Sequence, residues 1–168
     1  METLEIKKYP DKVLKQKALS ITEIDGRLQL LIDKMIETMH YSNGIGLAGN
    51  QVGELKRLCV IDISKKIAGG EVLVLINPVI LIREGIAEAE EGCLSIPGYM
   101  ATVRRPEQVF IRALDRDGKE FELEAKGLLS RVIQHEIDHL DGYLFIDRLS
   151  PIKRELFKRR YIKSLKNK

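Results

Sequence analysis

The stretch Gln134-His135-Glu136-Ile137-Asp138-His139 places two histidines four residues apart, within a predicted helix over residues 128–140. Residues four apart lie one above the other on a helix, so both imidazoles point the same way. Two such imidazoles can bind one metal ion, and the glutamate beside the first can reach a water on that ion. This glutamate would act as general base and then as acid toward the leaving group. The stretch therefore predicts a metal-dependent hydrolase.

The alternative is a solvent-facing polar helix on which the two histidines occur by chance. Two of only three histidines in the chain fall here, and Leu128 and Val132 lie on the same helical face. Histidines on a partly apolar face need partners, which a metal ion supplies. The pattern therefore favours the metal site.

The helix alone does not identify a third ligand. One class of metallopeptidases places a glycine and then a histidine downstream; Gly142 fits, but Phe145 stands where the histidine is needed. Another class uses a downstream glutamate, and Glu155 lies in a strongly basic stretch. An upstream ligand is favoured: Cys93 first, because its thiolate binds Fe²⁺ or Zn²⁺ well, and His40 second. From the residues alone, Cys93 could also be an ordinary core cysteine.

The rest of the chain has the pattern of an α+β domain. Apolar residues at 3.6-residue spacing predict a first helix over residues 26–39, with Asp25 as its cap. Apolar, branched runs predict strands over residues 58–63, 72–76, 79–82, 109–114 and 120–123. The last two flank a predicted hairpin turn at residues 115–118. A final helix is expected to begin at Ser150 and Pro151.

Composition limits the class of protein. The 168 residues, 44% of them hydrophobic, suffice for one domain with its own core. No run approaches the roughly 20 apolar residues that span a bilayer, and the acidic N-terminus is unlike a secretory signal. We therefore expect a soluble cytoplasmic protein with no membrane partner. Its two cysteines, Cys59 and Cys93, are expected to be buried or ligating rather than disulfide-bonded.

Charge is unevenly distributed along the chain. The net charge is +3, yet residues 151–168 hold eight Lys or Arg and one Glu, and the remainder is acidic overall. A basic tail on an acidic body indicates an anionic partner such as RNA, although solvated helix faces are often basic too.

Three segments together resemble the peptide deformylase family. They are Gly44-Ile45-Gly46-Leu47-Ala48-Gly49-Asn50-Gln51, Glu91-Gly92-Cys93-Leu94-Ser95 and the His-Glu-Ile-Asp-His motif. The resemblance implies removal of the formyl group from the N-terminal formyl-methionine of newly made bacterial or organellar proteins. It also implies an α+β fold: antiparallel strands packed around a central metal-bearing helix, with an N-terminal helix and a C-terminal helix.

The resemblance also implies a role for each motif residue. A divalent metal ion, Fe²⁺ natively and otherwise Zn²⁺, Ni²⁺ or Co²⁺, would be bound by Cys93, His135 and His139. Glu136 would transfer the proton. Gln51, through its side-chain amide, and the Leu94 backbone N–H would stabilise the tetrahedral oxyanion.

The glycine-rich loop predicts a cleft for a peptide. The sequence Gly44-x-Gly46 lacks the lysine and the preceding strand of a phosphate-binding loop. Ile45 and Gly46 are expected to pair with the substrate main chain as an added strand, with Gly92 opposite. An apolar pocket for the methionine side chain is expected from Ile45, Leu94, Leu128 and Val132.

Two positions depart from the family pattern. Gly49 stands where many members have alanine, which we expect only to loosen the loop. Met100 stands where many have an arginine that positions the substrate, so substrate preference is expected to differ. We expect residues 1–150 to form the catalytic deformylase domain. Residues 151–168 would extend that domain as a basic helix able to contact ribosomal phosphates.

Two rival classes remain open. A metallopeptidase with the same two-histidine helix would cut internal peptide bonds. A basic RNA- or ribosome-binding module with a structural metal ion would not need Glu136.

Overall fold

Seven strands and three α-helices form residues 2–167, which a computed structural model of the chain describes; Met1 and Lys168 lie outside the described residues. The helices are α1 (Gly26–Tyr41), α2 (Gly127–Leu140) and α3 (Pro151–Lys166). The strands are β1 (Gly46–Ala48), β2 (Leu58–Ile61), β3 (Leu73–Glu84), β4 (Ala87–Cys93), β5 (Ile96–Arg105), β6 (Gln108–Leu114) and β7 (Glu120–Lys126). Short 3₁₀ turns cover Lys12–Lys15, Gly49–Val52 and Phe145–Arg148. The predicted α+β class is confirmed.

The strands form two antiparallel sheets. Five of them pair in the order β1-β2-β3-β6-β7, and β4 and β5 form a separate two-stranded sheet. Helix α2 packs against one face of the larger sheet through Val132, Ile133, Ile137 and Leu140, within a core that includes Cys59, Val109 and Ile111. The helix that carries the two histidines therefore lies against strands β1, β2, β6 and β7.

Helix α1 covers the opposite face of the same sheet. Its buried side chains recur at helical spacing: Leu28, Ile32, Met35 and Met39. They contact Leu47, Leu58 and Val60, while the alternate residues Ala48 and Cys59 face α2. Successive side chains of a strand point to opposite faces, which is why β1 and β2 are buried on both sides.

The C-terminal helix packs on the β4–β5 side of the molecule. Ser150 caps α3 by accepting the Lys153 backbone N–H at 3.3 Å, and Pro151 occupies the first turn. Phe157 and Tyr161 are buried in a cluster with Leu14, Ile96, Val103, Leu144, Phe145, Ile146 and Leu149. The basic side chains of α3 lie on the surface around this anchored stripe.

The predicted elements differ from the observed ones in two respects. Strand β3 runs through Asn77 and Pro78, where two separate strands were expected. Asn77 adopts a φ of 52°, and the pairing register shifts there, so a bulge takes up the irregularity and the strand continues. Strands β1, β4 and β5 were not predicted: β1 lies in the segment predicted as a glycine-rich loop, and β4 alternates Glu with Ala and exposes three of its seven residues.

Candidate metal centre

Three potential ligand atoms converge where β4 ends beside α2. The two imidazole Nε2 atoms of His135 and His139 lie 3.2 Å apart, and Cys93 Sγ lies 3.4 Å from His139 Nε2. All three ligand atoms lie within 4.8 Å of one another. Around a tetrahedral ion, with nitrogen at about 2.0 Å and sulfur at about 2.3 Å, ligand atoms lie roughly 3.3–3.6 Å apart. The spacing therefore fits one divalent ion.

The electrostatics of the cluster also fit a cation. Burial lowers the pKa of His139 well below its usual value, and the neighbouring His135 lowers it further, so His139 is neutral and able to ligate. Burial opposes charge on His135 too, but hydrogen bonds with Cys93 and Glu91 outweigh it and raise the pKa of that imidazole. The surroundings of His135 thus favour positive charge, which a metal ion would supply.

Glu136 points from α2 toward strand β1. A β-carbon on Gly46 would lie 2.5 Å from Glu136 Oε2, so the carboxylate occupies space that only glycine leaves open. Glu136 is 3% exposed, and its Oε1 has no hydrogen-bond partner among residues 2–167. Burial raises the pKa of Glu136 to about 7, against the lowering effect of His135. A carboxyl group in that range can both accept and return a proton near neutrality.

Gln51 lies in the 3₁₀ turn after β1, and its amide is oriented by a backbone donor. The Ala48 N–H donates to Gln51 Oε1 at 2.9 Å, which leaves the amide NH₂ to face the cluster. That NH₂ lies 3.5 Å from Cys93 Sγ and 3.1 Å from Ser95 Oγ. Leu94 follows Cys93 directly, in the turn between β4 and β5.

The predicted substrate residues differ in their burial and in what they pack against. Gly44 packs against Leu94, where a β-carbon would lie 2.6 Å from Leu94 Cδ1. Ile45 and Leu128 are half-buried at the margin of the core, whereas Val132 is only 5% exposed. Met100 lies over Gly92, with its sulfur in the space that a β-carbon there would occupy.

Gly49 lies close to the backbone of residues 54–56. A β-carbon there would lie 2.6 Å from the backbone oxygens of both Glu54 and Lys56. Glycine therefore permits this close backbone approach in the turn before Gln51, and the expectation that it loosens the loop stays a prediction.

The other candidate ligands lie elsewhere. His40 Nε2 is paired with Asp62 Oδ2 at 2.7 Å, with 41% of the histidine side chain exposed. Glu155 is exposed on α3 and paired with Arg159 at 3.6 Å. Phe145 is buried and stacks on the His135 ring at a centroid distance of 6.1 Å. An aromatic ring thus stands where a metallopeptidase of the extended class would need its third histidine.

A buried carboxylate behind the ligands was missed by sequence reasoning. Glu91 accepts His135 Nδ1–H at 2.9 Å, a donor pair from Arg105 at 2.6 and 2.9 Å, and Arg131 at 2.6 Å. Burial alone would raise the pKa of Glu91, but the hydrogen bonds from His135 and Arg105 hold it well below its usual range. The sequence signal that could have identified Glu91 was its position two residues before Cys93.

The fold and the centre together define a metal-dependent hydrolase: two helix-borne imidazoles and a cysteine sulfur converge beside a buried carboxylate. A family model for polypeptide deformylase matches residues 3–155. The chain belongs to the peptide deformylase family, whose members are metal-dependent hydrolases that remove the N-formyl group, and the resemblance seen in the three segments is confirmed.

Relatives and solved structures match nearly end to end. A peptide deformylase of Thermodesulfovibrio yellowstonii is 59% identical over 161 residues, covering 96% of this chain and 98% of the relative. A crystal structure of a peptide deformylase from Legionella pneumophila matches with a TM-score of 0.90 and 44% identity, over 98% of this chain and 96% of that one. One from Ehrlichia chaffeensis in complex with actinonin matches with a TM-score of 0.91 and 38% identity, covering 98% of both chains. Within residues 2–167, no helix combines the length and hydrophobicity needed to cross a membrane.

Proposed function

We propose that the chain hydrolyses the formamide of N-formyl-methionyl nascent peptides at a single divalent ion held by Cys93, His135 and His139. The observation that carries this proposal is the convergence of those three ligand atoms beside the buried Glu136 carboxylate. A thiolate with two imidazoles accepts Fe²⁺, which we propose as the native ion, and also Zn²⁺, Ni²⁺ or Co²⁺. When bound, such an ion supplies a Lewis acid that lowers the pKa of water and polarises a carbonyl oxygen.

Glu136 moves the proton in this proposal. Its carboxylate takes a proton from the attacking water and returns it to the leaving amine as the formyl C–N bond breaks. Burial supports the role, because it raises the pKa of the carboxyl to about 7. The group can then both accept and return a proton near neutral pH. Gly46 supports it by leaving room for the carboxylate at the edge of β1.

The oxyanion is stabilised by two donors, the Gln51 side-chain amide and the Leu94 backbone N–H. The Gln51 amide is already oriented by the Ala48 N–H, so it needs little rearrangement as charge develops. Loss of one such donor typically lowers kcat about 10²–10³-fold.

The substrate peptide binds as an added strand between the glycine-rich loop and β4. Ile45 and Gly46 provide main-chain groups on one side and Gly92 on the other, with Gly44 leaving room for the Leu94 side chain. Ile45, Leu94, Leu128 and Val132 would line the methionine pocket; Leu128 is half-buried and Val132 is 5% exposed.

We further propose that the chain acts in the bacterial cytoplasm and associates with ribosomes through α3. Residues 1–150 would be the catalytic domain, and residues 151–168 its basic extension. Exposed cations on α3 support this, because Lys158, Arg159 and Lys163 are available to phosphates.

Formate release tests the reaction directly. The metal-loaded protein should release formate from formyl-Met-Ala-Ser and leave the unformylated tripeptide intact. Cleavage of an internal bond in either peptide would point to a metallopeptidase. Absence of turnover on both, with one metal ion per chain, would favour the binding-module alternative.

A further inference from the structure

Asp138 stands between the two histidines of the helix motif, yet neither the ligand set nor the proton transfer uses it. Its carboxylate is turned toward two arginines. Arg105 Nη1 donates to Oδ2 at 2.9 Å, and Arg148 donates to both oxygens, at 3.1 and 2.7 Å. The side chains of Asp138 and Arg105 are only 11% and 4% exposed, so solvent screens that ion pair weakly.

Arg105 carries the connection from Asp138 to the metal centre. While Nη1 reaches Asp138, Nε and Nη2 donate as a fork to both oxygens of Glu91, at 2.6 and 2.9 Å. Glu91 in turn accepts His135 Nδ1–H at 2.9 Å. A continuous series of charge-assisted hydrogen bonds therefore runs from Arg148 through Asp138, Arg105 and Glu91 to His135.

We propose that Asp138 and Arg148 are positioning residues that orient the metal ligand His135 through Arg105 and Glu91. A planar guanidinium held by carboxylates on two sides has a fixed plane, and that plane fixes the Glu91 carboxylate. The carboxylate then sets the ring orientation and the donor strength of His135. The inference rests on the proposed function only in taking His135 as a ligand.

Arg148 is the end of this series that a substitution can reach without opening the core. Its side chain is 46% exposed, and its guanidinium lies over the Tyr143 ring at 5.3 Å from the centroid. Removing Arg148 leaves Asp138 paired with Arg105. The Asp138 carboxylate can then turn, and the Arg105 guanidinium is no longer held in one orientation.

Arg148→Met, which keeps the side-chain length and removes the charge, tests the connection in the zinc-loaded protein. With ¹⁵N-labelled histidine, the Nδ1–H resonance of His135 should shift. Zinc release to a chelator should accelerate about threefold, a smaller effect than the 10–100-fold loss of metal affinity or activity that is typical when a residue in contact with a ligand is replaced. Arg148→Lys should restore part of both effects, and Asp138→Asn should produce larger changes in the same direction.

Arg116→Met is the matched control. Arg116 also pairs with an aspartate, Asp33 at 2.8 Å, and is 37% exposed, but it lies in the turn between β6 and β7. It should change neither the His135 resonance nor zinc release. A lower free energy of unfolding in Arg148→Met, with an unmoved resonance and unchanged zinc release, would show a merely structural role and overturn the proposal. Both readouts are made without substrate, so they are separable from a failure to release formate.

Discussion

At the scale of single residues, glycines shape this centre as much as the polar groups do, because they have no β-carbon. Gly46 leaves space for the Glu136 carboxylate, and Gly44 leaves space for Leu94. The two histidines and Glu136 could be predicted from sequence because helical geometry relates them locally. Cys93 is 46 residues from His139 along the chain, so the residues alone made it only the first of two upstream candidates, and the family resemblance implied its role as a ligand.

Replacing Glu136 with glutamine tests its role in proton transfer. Glu136→Gln keeps the shape but cannot accept a proton, so formate release should fall about 10²–10⁴-fold while metal content stays near one per chain. Glu90→Gln, a change of the same kind at an exposed position of β4, should leave activity unchanged. Retained turnover in Glu136→Gln would contradict the assignment of proton transfer to this carboxylate.

A methyl group on Gly46 should displace the Glu136 carboxylate, to which we assign the proton transfer. The β-carbon of Gly46→Ala would meet Glu136 Oε2 at 2.5 Å. A displacement of about 1 Å can lower activity on the order of 10²-fold, and the ligands should still bind metal. Gly26→Ala is the control, because a β-carbon there meets nothing within 4 Å. Equal kcat/KM for the two variants would contradict the placement of Glu136.

At the scale of elements, the helices could be predicted from local sequence patterns. The β4–β5 pair could not, because it depends on contacts with distant residues. The apolar spacing and the Asp25 cap gave α1 nearly to its observed ends, because both signals lie within the helix. The β4–β5 pair was missed because its one deeply buried carboxylate, Glu91, is neutralised by residues 14 and 40 positions away. A short stretch of sequence around Glu91 does not contain the residues that neutralise it.

The end of β2 is tied to the end of α1 by Asp62, which gives a prediction on acid stability. Hydrogen bonds from Ser64, and then from His40, lower the pKa of Asp62 to about 2. The unfolded pKa is about 3.9, so the stabilisation is complete above that pH and is lost as the pH falls toward 2. The urea midpoint of the wild-type protein should exceed that of Asp62→Asn above about pH 5, and the gap should close on acidification. A gap independent of pH would contradict the assignment.

At the scale of the whole molecule, a single chain combines a buried candidate metal site with a basic helix at its surface. Helix α3 cannot be removed cleanly, because Phe157 and Tyr161 belong to a core cluster shared with β5 and the 3₁₀ turns. The sequence predicted the helix and its charge. Its packing could not be predicted, because the buried stripe is only two residues in a strongly basic stretch.

Charge reversal is therefore the appropriate test of ribosome binding. The double variant Lys158→Glu with Lys163→Glu should weaken co-sedimentation with ribosomes at low salt. The slope of log affinity against log salt concentration should also fall, roughly by one unit for each phosphate that is no longer neutralised. Formate release from a short peptide should not change. The same reversal at the exposed Lys65 and Lys66 is the control. Equal sedimentation of both double variants would remove α3 as the docking element.

The central claim is that Cys93, His135 and His139 hold the catalytic ion. X-ray absorption at the metal edge of the zinc-loaded protein measures this most directly. We predict one sulfur ligand at about 2.3 Å and two imidazole nitrogens at about 2.0–2.1 Å, with the sulfur lost in Cys93→Ser. A first coordination sphere without sulfur in the unaltered protein would contradict the account.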